Sequence, residues 1–111
     1  MADRIRRVNE AVREVVSARL AEGLRDPRIG FVTVTSVETS PDLRHARVYV
    51  SVLGDAEQRE ATMAGLDSAH GVLQLAVARE LRMKHTPTLE FLFDESIGRG
   101  MRITELLGDD E

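Results

Sequence analysis

The sequence predicts an α+β fold, a two-layer sandwich in which helices cover one face of a three-stranded sheet. In two long stretches apolar residues recur at three- and four-residue spacing, which is typical of amphipathic helices. In three short stretches β-branched or aromatic residues dominate or alternate with polar ones, as in strands. The predicted order is helix, strand, strand, kinked helical pair, strand, then a short C-terminal helix or turn. The crossover before the last strand is long enough for a parallel, right-handed connection.

The first helix is predicted from six apolar residues that share one face, opposite a polar face. Gly23 is well placed to end it, and the Asp26-Pro27-Arg28 segment then forces a turn. We expect this helix to cover the core. Its apolar face consists of Ile5, Val8, Val12, Val15, Val16 and Leu20.

Two strands are predicted at residues 31–37 and 46–52, joined by turn chemistry at residues 40–43. The short connection makes this pair antiparallel. A third strand is predicted at residues 89–93, after a break at residues 86–88. Residues 96–107 are expected to form a short closing helix or turn, weakened by two glycines.

The kinked helical pair spans residues 57–67 and 72–84, with Asp55 as a plausible N-cap. Gly71 lies inside this pattern, where glycine costs about 0.5–1 kcal/mol relative to alanine. Such a glycine indicates a bend or a close backbone approach. The pattern therefore predicts two helices joined by a kink, although an ordinary flexible spot in one buried helix explains the glycine equally simply.

Length and composition place the chain among single-domain proteins. We expect one domain over residues 1–108, followed by an acidic end at residues 109–111. The absence of cysteine excludes disulfides and thiolate zinc sites. No apolar run is long enough to span a membrane and no signal peptide is visible, so we expect a soluble, cytoplasmic protein.

Charge is distributed unevenly along the chain. The net charge is −4, but residues 1–28 and 71–88 each carry an excess of bases, while the last residues are acidic. This asymmetry is compatible with one basic face on an acidic body, or with a mixed, solvated surface. Fourteen of the fifteen bases are arginine, whose planar fork suits phosphate contacts.

The sequence shows no catalytic constellation. His45, His70 and His85 have no partner at metal-ligand spacing. Ser40 and Asp42 lie near His45, but they flank a proline and are turn formers that offer neither an oxyanion hole nor a pocket. We therefore predict a protein that is not an enzyme and that uses no metal, cofactor or small-molecule substrate.

Several stretches carry a recognisable pattern in this order: residues 26–28, 32–35, 40–51, 69–71, 81–82, 87–91 and 94–107. Together they resemble the bacterial ribosome-binding factor A family over about residues 4–107. The resemblance implies a type II KH-like fold. It also implies a monomeric factor that binds the free small ribosomal subunit, assists late maturation and processing of its ribosomal RNA, and matters most in the cold.

Within this resemblance, Ala69-His70-Gly71 stands where an ordinary KH domain has a G-x-x-G loop that clamps single-stranded RNA. A kink at Ala69 and Gly71 without such a loop implies recognition of folded RNA by helix surfaces. Helix-dipole stabilisation, a local Asp26–Arg28 pair or simple surface exposure would also account for several candidates. The RNA-binding candidates are Arg79, Arg82, Lys84 and His70, then Arg4, Arg6, Arg7 and Arg13, and finally Arg28 and Arg44.

Two departures from the family pattern bear on this footprint. Relatives commonly carry arginine where this chain has Gln74, and many have a basic C-terminal extension where this chain is acidic. Two other readings stay open: a KH-like module that binds another RNA, and a protein-interaction domain that binds no RNA.

Overall fold

The computed structural model describes residues 2–95, which form three helices and three strands. The predicted order of elements is confirmed over this range. The elements are α1 (Ala2–Glu22), β1 (Val32–Thr39), β2 (His45–Val52), α2 (Ala56–Ser68), α3 (His70–Leu81) and β3 (Thr88–Phe93).

The three strands form one sheet in the order β1-β2-β3. β2 pairs antiparallel with β1 and parallel with β3, as the turn and the long crossover predicted. The register of β1 shifts between Val34 and Ser36, which makes Thr35 the extra residue of a β-bulge. The predicted α+β sandwich is confirmed, and its element order agrees with a type II KH-like fold.

The core lies between one face of the sheet and the helices. α1 inserts Val12 and Val16, and β2 inserts Val48 and Val50, all of them fully buried. The alternation of apolar and polar residues along β2 explains why its other face is left outside this core. Leu66 from α2 and Leu73 and Val77 from α3 complete the buried cluster.

α1 runs along the outer side of β1, in the opposite direction. Near the start of α1, the Asn9 side-chain oxygen accepts a hydrogen bond from the Thr39 backbone N–H at 2.9 Å. Near its end, Leu20 lines a groove with Val32. Gly23 follows with φ +90°, so the predicted glycine stop of this helix is confirmed.

The α2–α3 pair is joined by one residue. Asp55 caps α2 reciprocally with Gln58, which confirms the predicted N-cap. Ala69, with φ −85° and ψ 3°, is the only residue between the two helices. The predicted kink is therefore confirmed, and no loop of the G-x-x-G kind separates α2 from α3.

The reason for glycine in this region differs from the expectation. Gly71 is exposed, and a Cβ added there would meet nothing within 4 Å. The close approach lies instead at Gly65, where an added Cβ would stand 2.5 Å from Ile29 Cγ1. Gly65 therefore lets α2 pack against the segment that leads into β1.

The second helix of the pair ends earlier than predicted. α3 stops at Leu81 rather than continuing to Lys84, because Arg82 adopts the left-handed conformation with φ 50° and caps the helix. Lys84 thus lies in the connection to β3 and gains nothing from the last helical turn. The closing helix or turn expected at residues 96–107 lies outside the described residues, as does the acidic end at residues 109–111.

Replacement of the two glycines by alanine should have opposite effects. Gly65→Ala should destabilise the fold by about 1–3 kcal/mol, because Ile29 must move to admit the methyl group. Gly71→Ala, in open space within a helix, should stabilise it by up to about 1 kcal/mol. Urea unfolding of both variants tests the pair, and equal midpoints would contradict it.

Candidate nucleic-acid interface

The turn between β1 and β2 and the start of β3 lie at the same end of the sheet. The Arg44 carbonyl in that turn accepts a hydrogen bond from the Thr88 backbone N–H at 2.8 Å. Arg82 and Lys84 lie in the connection that leads into Thr88. The parallel β2–β3 pairing therefore brings cations that are far apart in sequence to the same end of the sheet.

The N-terminal part of α1 reaches this same end. Asn9 binds Thr39, the last residue of β1, and Arg4 and Arg7 precede Asn9 on the helix. All the cations at this end have exposed side chains. We call the group the basic end; it consists of Arg4, Arg7, Arg44, Arg82 and Lys84.

The turn that presents Arg44 is held by its own side chains. The Ser40 hydroxyl donates to Asp42 Oδ1 at 2.6 Å, and the Arg44 backbone N–H donates to the same oxygen at 3.0 Å. These two bonds, the hydroxyl first, lower the pKa of the Asp42 carboxyl. Leu43 takes φ 62° and tucks against the core. Asp42 is thus occupied in shaping the turn that exposes Arg44.

The basic end is electrostatically available. Within residues 2–95, no carboxylate lies within ion-pair distance of any of its five cations. Arg6, which is close by on α1, is less available because its guanidinium lies 3.5 Å from Asp3 Oδ1. Exposed cations without a carboxylate partner are a suitable surface for contacts with phosphate groups.

Arg79 and Arg13 lie outside this group. Arg79 lines a shallow depression between α1 and α3 together with Glu14, Glu22 and Glu80. The mixed charge there favours the solvated-surface interpretation for Arg79. Arg13 is exposed on α1, and no side-chain contact with another described residue distinguishes it.

Arg28 is committed to a local contact, as the alternative interpretation expected. Its guanidinium Nε donates to Asp26 Oδ1 at 2.9 Å, and its Nη2 donates to Ser68 Oγ at 2.9 Å. The hydrogen bonds from Arg28 lower the pKa of Asp26 to about 2, and Asp26 in turn raises the pKa of Arg28. Arg28 thus ties the α1–β1 connection to the end of α2, away from the basic end.

His70 and Gln74 lie one turn apart on α3 and hold the backbone of β3. His70 Nε2 donates to the Leu89 carbonyl at 2.8 Å, because a carbonyl can only accept. Gln74 accepts from the Leu89 N–H at 2.9 Å and donates to the Pro87 carbonyl at 2.8 Å. The His70 ring also meets Phe91 edge-on, with 6.2 Å between centroids. These contacts account for both side chains without any RNA.

The sequence did not reveal two features of this site. From the sequence, Gln74 indicates only a missing cation, whereas in the structure it is the partner of two backbone groups. Arg44 is one of the weaker candidates on the sequence alone, although the fold places it beside the segment that carries Arg82 and Lys84. The turn chemistry of Ser40 and Asp42 was a usable signal, because it predicts a fixed hairpin tip that presents the next residue.

No group of three or more histidine or acidic side chains that could hold a metal ion occurs among residues 2–95. None of the described helices is long and apolar enough to cross a membrane.

The comparisons with known proteins agree with one another. The family model described as Ribosome-binding factor A matches residues 4–107. The ribosome-binding factor A of Anaeromyxobacter dehalogenans strain 2CP-C is 56% identical over 102 residues, which cover 91% of this chain and 74% of that protein.

Solved structures show the same likeness. The crystal structure of ribosome-binding factor A from Thermus thermophilus superposes with a TM-score of 0.67 at 30% identity, covering 79% of this chain and 93% of that one. A homology model of the Thermus thermophilus factor, fitted into a cryo-EM map of a 30S–RbfA complex, gives a TM-score of 0.60 at 32% identity and covers 81% of this chain and 90% of that one.

The contact between Asp26 and Arg28 should make stability depend on acid pH. Because folding lowers the pKa of Asp26 from 3.8 to about 2, its contribution is present above pH 4 and is lost as pH falls toward 2. Asp26→Asn should therefore be less stable than the parent at pH 5 and approach it near pH 2. Thermal melts across this range test the convergence; a constant difference would contradict it.

Loss of the Gln74 amide should weaken the fold. Gln74→Met keeps a similar shape but leaves the Leu89 N–H and the Pro87 carbonyl unpaired, at a cost of about 1–3 kcal/mol. Gln74→Arg should also lose stability, because a guanidinium cannot accept from the Leu89 N–H. Urea unfolding measures both, with Leu75→Met on the exposed side of α3 as the control.

Proposed function

The chain belongs to the ribosome-binding factor A family, and from this premise we propose that it is a non-enzymatic assembly factor that binds the free small ribosomal subunit. In this role it acts in the cytoplasm as a monomer and assists late maturation and processing of the subunit's ribosomal RNA, with the greatest need in the cold. The relative placed in a map of a 30S–RbfA complex supports the choice of partner.

The observation that carries the proposal is the basic end. Its five cations come from α1, from the β1–β2 turn and from the α3–β3 connection, so they present charge over a broad surface. None is neutralised within residues 2–95. A net charge of −4 disfavours binding of RNA by the whole surface, so the contact with RNA phosphates requires a local basic patch.

Folded RNA suits this arrangement better than a free single strand. The G-x-x-G clamp of a KH domain needs a loop between two helices, and here Ala69 alone joins α2 to α3. Recognition would therefore depend on the spacing of phosphates on a folded RNA surface.

The other RNA-binding candidates outside the basic end would contribute less to RNA binding, or would contribute only by stabilising the fold. Arg6, Arg13 and Arg79 lie on α1 and α3 outside the basic end and would add weaker, screened contacts. Arg28 and His70 would act through the fold, because their hydrogen bonds hold the two sides of the α2–α3 junction at Ala69. Ala69 and Gly71 belong to the kink and bind nothing themselves.

Removal of cations from the basic end should weaken binding to small subunits. The double variant Arg82→Gln, Lys84→Gln should lose affinity at least about tenfold, because charged hydrogen bonds contribute about 1.5 kcal/mol or more each. Its salt slope should fall by about 1.4–1.8. The readout is co-sedimentation with purified small subunits at several salt concentrations.

A charge-matched control uses Arg25→Gln with Arg59→Gln, at the opposite end of the fold, where Arg59 lies over the Phe93 ring. This variant should bind nearly as the parent does. An equal loss in both doubles would show a general charge effect and contradict the basic end. Tight binding of the parent to short single-stranded RNA would contradict recognition of a folded particle.

Arg82 allows stability and binding to be separated. Arg82→Gly should stabilise the helix end by about 1 kcal/mol, because glycine adopts the left-handed conformation without a Cβ penalty. The same variant should bind small subunits more weakly, since it lacks the guanidinium. Urea unfolding and co-sedimentation on one preparation test this; stronger binding in the stabilised variant would contradict it.

A further inference from the structure

The end of the sheet opposite the basic end carries a pair of exposed apolar side chains. Phe31 is 80% exposed and Leu53 is 76% exposed. The two residues are neighbours across the strands, because the Leu53 N–H donates to the Phe31 carbonyl at 3.0 Å. Single exposed apolar residues are common on protein surfaces. A neighbouring phenylalanine and leucine that are both mostly exposed form an apolar patch, and such a patch favours burial against another apolar surface.

A groove continues this patch along the outer side of β1. Its walls are Leu20 and Ala21 of α1 and Val32 and Val34 of β1, and Phe31 lies at its edge. Every described residue that lines it is uncharged. The groove therefore suits an apolar polypeptide segment and offers no contact for an RNA phosphate.

The described chain ends beside this patch. β3 runs parallel to β2, with Phe93 opposite Val50, and the Asp94 N–H donates to the Val50 carbonyl at 2.7 Å. The chain therefore leaves the sheet at the end where β2 continues to Leu53. The Thr35 hydroxyl of β1 donates to the Asp94 carboxylate at 2.5 Å, so Asp94 already reaches across the sheet toward β1.

The sequence after Asp94 is long enough to reach this patch and contains enough apolar residues to cover it. Crossing from β3 to β1 requires about 10 Å, since adjacent strands lie about 4.8 Å apart. Three or four extended residues span that distance at about 3.3 Å each. The segment then offers five apolar side chains, which are Ile97, Met101, Ile103, Leu106 and Leu107.

We propose that residues 97–107 of this chain pack over the patch of Phe31 and Leu53 and into the groove between α1 and β1. Attachment through residues 94–96 gives this segment a local concentration in the millimolar range, which an unattached second copy does not reach in dilute solution. The docked segment would also cover the half-buried Val32 at the outer edge of the sheet.

The absence of cysteine makes a direct test possible. Leu53→Cys is combined in the full chain with Ile103→Cys, Leu106→Cys or Leu107→Cys in turn, and each pair is oxidised mildly. At least one pair should form an intramolecular disulfide about tenfold faster than the same tail cysteine paired with Leu75→Cys, which is 51% exposed on α3. Mass spectrometry after proteolysis identifies the linkage.

Two results would overturn the proposal. Disulfide-linked dimers as the main product would show that a second copy covers the patch, and rates equal to the Leu75 control would show that the segment does not dock there. Trypsin cleavage after Arg102 gives an independent readout: Phe31→Ser with Leu53→Ser should accelerate it about tenfold, whereas Val72→Ser with Leu75→Ser should not. Equal cleavage in both variants would likewise contradict docking.

Discussion

The parallel pairing of β3 with β2 is the constraint on which the rest of the molecule depends. A parallel partner must start at the same end of the sheet as β2, so the chain has to return from the end of β2 through a long crossover. α2 and α3 form that crossover and cover the sheet as they return. The same return path brings Arg82 and Lys84 to the β1–β2 turn and leaves the chain to exit at the opposite end.

The crossover is secured by side chains that bind backbone. His70 and Gln74 together engage both polar groups of Leu89, so one strand residue is held by two successive turns of α3. On the α2 side of the junction, Arg28 joins Ser68 to the turn before β1, and Gly65 lets that turn approach α2 closely. The single-residue junction at Ala69 is thus fixed on both sides, which explains why no open loop forms there.

The features predicted from the sequence are those that depend on local chemistry. The cap at Asp55, the glycine stop at Gly23 and the alternation in β2 follow from residues close together in the chain. The features that were missed depend on contacts between distant elements. The close approach at Gly65 needs Ile29, and the role of Gln74 needs Leu89. The end of α3 was placed too late because a left-handed arginine carries no signal of the kind that glycine gives.

The hydrogen bond from Thr39 to Asn9 has a consequence for solubility. β1 is an edge strand, and unpaired backbone groups along such an edge can recruit a strand from another molecule. Asn9 occupies one of these groups near the end of β1, and the bulge at Thr35 interrupts the ladder farther back. The uninterrupted edge of β1 is therefore short, which disfavours the addition of a strand from another molecule and the growth of a fibre from this edge.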